Sequence, residues 1–225
     1  MAADSTLLRA PAIDWPTIAG CLGLDALGLF GLPALHLHGL RGYAWWALCF
    51  GASFGLLARA RQGDRRALGL GWQIEPSAAF WLRVSAWMIG AIALGFAAAV
   101  VPSRSGSDPF GFCRPAGEVG IQRISDDVLL APALEELAFR FLLCGALAGR
   151  LSPGANIALS GAVFALAHVV FGGIGPDSLL GGFFLAWAFL RSGTIVVPVA
   201  MHAIGNALLL ALTGSGALAL LACPS

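Results

Sequence analysis

Long apolar runs separated by short polar connections set the architecture of this chain. About 20 helical residues cross a hydrocarbon core, and somewhat fewer suffice when helices are short or tilted. Seven runs approach that length, at about 17–35, 43–58, 79–101, 125–149, 152–175, 178–190 and 194–212. The pattern predicts an all-α, polytopic transmembrane helix bundle of about seven spans with a polar cluster inside it. Ser125 followed by Asp126 and Asp127 reads as the cap and acidic first turn of the fourth helix. Ser152 and Pro153 read as the cap and first residue of the fifth, and Asp177 or Ser178 as the cap of the sixth. The stretch PSRSGSDPFGFCRPAGEVGIQRIS over 102–125 is the one long polar interruption, and it suits a lid as well as a connector. No repeat and no linker divides the chain, so 1–225 reads as a single integral membrane domain.

Composition agrees with that picture. Hydrophobic residues make up 58% of the chain and charged residues 11%, against roughly 25% charged in soluble domains. The formal net charge of +1 leaves no basic or acidic excess that would point to nucleic acid or a polyanionic partner, and the apolar balance points to the lipid bilayer. Every basic residue is arginine, which fits a GC-rich bacterial genome and carries no mechanistic weight.

Charge placement gives a topology. Short loops rich in arginine stay on the cytoplasmic side, and the loop RARQGDRR carries Arg59, Arg61, Arg65 and Arg66. Alternation then puts Arg150 and Arg191 on the same side, with the N-terminus inside and the C-terminus outside. The expected location is the inner membrane, multi-pass. The arginine run reads as a topological anchor. Residues 1–16 hold Asp4, Asp14 and two prolines, unlike a cleavable leader.

Against this apolar background the polar outliers stand out. The stretch ALEELAFRF places Glu135, Glu136 and Arg140 inside the fourth run, where charge is costly and marks function by default. Glu136 and Arg140 are four apart with the acid first, the order of a structural ion pair. Glu135 lies about 100° further round the helix, so the same arginine does not easily serve both acids. A carboxyl without a fixed cation, held away from bulk water, is suited to proton exchange near neutral pH, as a general base must be. Pro132, one turn earlier, predicts a kink or a freed carbonyl. FALAH puts Phe164 and His168 one turn apart on the fifth run, and HAIGN does the same for His202 and Asn206 on the seventh. A single buried histidine is most simply a packing residue. Two histidines, an asparagine and an unpaired glutamate in three helices point to one site in the outer half of the membrane, opening outward. Pro198, one turn before His202, suggests locally broken helix.

In this order EELAFR, FALAH and HAIGN resemble the EExxxR, FxxxH and HxxxN motifs of the CAAX-processing and bacteriocin-processing (CPBP) family of intramembrane endopeptidases. The similarity covers about residues 125–210, and myxosortase-like members are among the relatives it brings in. The resemblance implies a glutamic-type peptidase in which Glu135 with His168 activates water while His202 and Asn206 stabilise the oxyanion. Glu136, Arg140 and Phe164 would be supporting. It also implies cleavage near the C-terminus of a membrane-anchored, lipidated or exported protein. No cofactor is expected. Zinc is the competing reading, since two histidines and a glutamate are acceptable ligands, but no HExxH helix is present. The rival from another class is a non-catalytic scaffold or bacteriocin-immunity protein.

The remaining outliers have simpler readings. Asp25 either lines the same cavity or, preferably, sits near a watery helix end. His36 and His38 read as interfacial, as do Trp45, Trp46 and Trp72. Cys21, Cys49 and Cys144 read as packing thiols. Cys113 and Cys223 fall on the same outer side and can pair if that side is oxidising.

Overall fold

The computed structural model describes residues 11–34, 39–104, 120–171, 175–215 and Cys223. Seven helical rods account for most of them, and the fold is all-α. They are α1 (Trp15–Ala34), α2 (Gly39–Ala60), α3 (Ala78–Arg104), α4 (121–147), α5 (Pro153–Phe171), α6 (Pro176–Ser192) and α7 (Val196–Gly214). Three contain stretches long and apolar enough to cross a membrane, at 78–100, 153–170 and 196–214, and 44–60 is a shorter apolar helix. By length and composition these helices fit an all-α membrane bundle.

The arginine-bearing connections gather at one end of the bundle. The Ile195 N–H donates to Gly69 O at 2.8 Å, and Leu70 pairs with Thr194 beside it. Arg150 reaches the Ile13 carbonyl and lies over the Trp15 ring at 5.7 Å. Arg61 departs from the anchor reading, because its side chain is turned inward and is 4% exposed. It donates to the carbonyls of Pro11, Gly145 and Ala148, closing the C-terminal end of α4, whose last carbonyls have no partner within the helix. At the start of α1, Asp14 accepts from the N–H and hydroxyl of Thr17, and the first of these bonds does most to hold its carboxyl below the ordinary range.

Other sequence expectations are revised. Ser125 is not a cap: α4 begins at Ile121, and Ser125, Asp126 and Asp127 lie inside it in a π-helical turn, Ser125–Leu130. A second π-helical stretch, Leu137–Cys144, follows the short α-helical Ala131–Glu136. Pro198 does not break α7, since it falls in the first turn, where a missing N–H costs nothing. Asp25 is buried at 6% exposure in α1, away from the lining of the large cavity, so neither reading offered for it holds. Trp45 donates to Leu27 O, tying α2 to α1. Ser152 does cap α5, accepting from the Ala155 N–H at 3.3 Å. Cys21, Cys49 and Cys144 are free and buried. Cys223 is disulfide-bonded. His36, His38, Cys113 and 105–119 of the expected lid lie outside the described residues.

Candidate active site

Three rods bring the motif residues together. Glu135 is on α4, His168 on α5 and His202 and Asn206 on α7, and all four line one cavity of about 460 Å³. The lining is mostly apolar, with α3 supplying Met88, Ile92 and Phe96.

The histidines converge on one oxygen. Glu135 Oε2 is 3.8 Å from His168 Nε2 and 3.8 Å from His202 Nε2, and it has no hydrogen-bond partner among the described residues. These separations exceed a direct hydrogen bond, so the three atoms form an open triangle. Each ring is fixed from behind. His168 Nδ1 lies 2.9 Å from the Phe164 carbonyl one turn back, and His202 Nδ1 lies 2.9 Å from Glu136 Oε1. A carbonyl only accepts, so His168 carries its proton on Nδ1 and turns an Nε2 lone pair to the cavity.

Phe164 is the hub of the buried side. Its ring is 4.3 Å from His168 and 5.9 Å from His202, centroid to centroid, and the Arg140 guanidinium stacks on it at 4.5 Å. Arg140 and Glu136 are fully buried and joined at 2.9 Å. Glycine makes room for this packing. A Cβ on Gly182 would meet Phe164 Cδ1 at 2.9 Å, and one on Gly161 would meet Phe183 Cδ1 at 2.5 Å. Close approach of α5 and α6 therefore depends on the two glycines.

Asn206 is placed by a carbonyl that proline leaves free. The π-helical register has the Ala131 N–H on Asp126 O, and the next residue, Pro132, has no N–H to give to Asp127 O. Asn206 Nδ2 donates there instead, at 2.7 Å. The freed carbonyl expected near Pro132 thus serves the seventh helix.

Sequence reasoning missed three contributors. Glu136 reaches across to His202, a contact set by the crossing of α4 and α7. Asp177 lines the cavity, and neither it nor Ser178 is the cap residue expected of them: α6 starts at Pro176 after Gly175, whose N–H donates to the Ser178 hydroxyl and whose carbonyl accepts from it, both at 2.9 Å. Gly182 was legible only as half of a glycine pair in an apolar helix, facing an aromatic it could not name.

Residues 124–208 match the family model described as Rce1-like, type II CAAX prenyl endopeptidase Rce1-like. No curated protein and no solved structure is detectably similar to the chain. The matched segment starts at the last residue before the first π-helical turn of α4 and ends two residues after Asn206, so it contains every residue of the cluster. Over residues 124–208 the chain is therefore similar to an Rce1-like domain, which supports a place among the CPBP-type intramembrane proteases.

Proposed function

We propose that the protein is an intramembrane endopeptidase of glutamic type that cleaves near the C-terminus of a membrane-anchored, lipidated or exported protein. The observation that carries this is the open triangle of Glu135 Oε2 and the two imidazole Nε2 atoms in the cavity. A water held by Glu135 and the His168 lone pair attacks the scissile carbonyl carbon, and its proton passes to Glu135. The charge that develops on the carbonyl oxygen is met by N–H donors from His202 and Asn206, fixed before the substrate arrives. Collapse of the tetrahedral intermediate breaks the C–N bond, and the leaving amine takes the proton from Glu135.

The apolar wall of the cavity suits a substrate segment that comes from the bilayer. The arginine-rich end of the bundle is the cytoplasmic one in this proposal, which places the C-terminus and the mouth of the site outside. A topology reporter fused after Ser225 reads outside; a cytoplasmic reading reverses the orientation.

The function is tested in cells carrying wild type, Glu135→Gln or His168→Ala at matched accumulation. C-terminal masses of membrane and exported proteins are compared. Shortened termini in wild type alone support the peptidase. Identical termini in all three transfer the cluster to a scaffold or immunity role.

A further inference from the structure

We infer that Glu136 is a positioning residue for catalysis, acting through His202, and that the group behind each Nδ1 gives the two histidines different duties. The inference rests on the peptidase reading.

The Glu136 carboxylate has a cation on one side and the imidazole on the other. Oε2 is 2.9 Å from Arg140 Nε, and Oε1 is 2.9 Å from His202 Nδ1. Arg140 shares complete burial with Glu136, and its guanidinium has no other hydrogen-bond partner among the described residues. The pair is therefore costly to ionise apart and favourable to keep ionised together. An ionised carboxylate only accepts, so His202 presents Nδ1–H to it and turns Nε2 toward the reacting atoms.

Contrast with His168 gives this contact its meaning. Behind His168 stands a neutral carbonyl, which fixes a tautomer and leaves Nε2 as an acceptor for the attacking water. Behind His202 stands a carboxylate. For His202 Nε2 to donate to a developing oxyanion it must carry a second proton, which makes the ring cationic. Glu136 is the carboxylate in hydrogen-bond contact that balances this charge, while Glu135, His168 and Asp177 face the ring from the cavity side. The arrangement is an acid–imidazole dyad with Arg140 as its counter-ion.

The test uses purified full-length protein and a peptide spanning a cleavage site found in the C-terminal mass comparison. Glu136→Gln keeps an acceptor for Nδ1–H and removes the charge. Its kcat is expected to fall about 100-fold with KM unchanged. Placed on His202→Ala, the same change is expected to cause no further loss, because its effect runs through that ring. Where Glu136→Gln alone accumulates poorly, combining it with Arg140→Met removes both buried charges, and accumulation returns while the kcat defect stays. Equal fold-losses in both backgrounds, or a change confined to KM or to thermal stability, overturn the assignment. A wild type that cleaves nothing, or a Glu135→Gln variant that cleaves as well as wild type, overturns the peptidase reading and this inference with it.

Discussion

Asn206 donates to the backbone carbonyl of Asp127 at 2.7 Å, across the contact of α7 with the π-helical turn of α4. The acceptor is free because Pro132 has no N–H. The bond holds one hydrogen of the amide and leaves the other free, so a proline on one helix orients the side chain proposed as an oxyanion donor on another.

Replacing Pro132 with alanine tests this relationship. The new N–H competes with Asn206 for Asp127 O, while removal of an interior proline favours the helix. The expected outcome is a several-fold lower kcat with thermal stability equal to or above wild type. Enzyme kinetics and a thermal melt in detergent read the two separately, and an unchanged kcat refutes the link.

Arg61→Ala is expected to be a stability defect. It leaves the carbonyls of Pro11, Gly145 and Ala148 without their donor inside the protein. A loss of about 3 kcal/mol is expected, at about 1–3 kcal/mol for each buried group left unsatisfied and with partial rehydration at the bundle end. Arg65→Ala, at an exposed position of the same loop, is the control and stays close to wild type. Equal melting temperatures for the two variants contradict the capping role.

That arginine also shows what a sequence reveals and what it hides. Hydropathy located all seven rods, because each must present an apolar surface over most of its length. It also read Ser152 as the cap of α5 correctly, because a serine before a proline acts locally. Ser125 misled for the same reason: two acids after a serine look like a first turn, yet helix continues back to Ile121 and the acids sit in a π-helical turn. Arg61 is indistinguishable in sequence from Arg59 and Arg65, and only its tertiary contact with the end of α4 shows that it turns inward. Glu136 was legible as the partner of Arg140 from their spacing. Its second partner, His202, is 66 residues away and follows from helix crossing alone.

Catalysis is expected to be independent of metal. The fourth motif residue is an amide whose Nδ2 is bonded to a carbonyl, an arrangement suited to donating a hydrogen bond and poorly suited to zinc. Cleavage by the purified protein is therefore expected to persist in EDTA or 1,10-phenanthroline. Loss of activity to chelators, recovery with zinc and one equivalent of metal by elemental analysis establish the zinc alternative instead.

Adjacent glycines on α6 supply the sharpest comparison. A Cβ on Gly182 meets Phe164 Cδ1 at 2.9 Å and the Gly161 carbonyl at 3.1 Å, and the second contact is backbone that yields only if α5 and α6 separate. Overpacking of this kind costs about 1–3 kcal/mol. The displacement also passes to Phe164, which touches His168 on one side and Arg140 on the other, so activity is expected to fall further than stability, by about tenfold or more. A Cβ on Gly181 meets nothing within 4 Å, so Gly181→Ala is expected to fold as wild type does. Melting curves and cleavage rates for the two alanine variants decide the point. Similar behaviour of both means that Phe164 does not transmit packing to the histidines, and the site's geometry is then set by α4 and α7 alone.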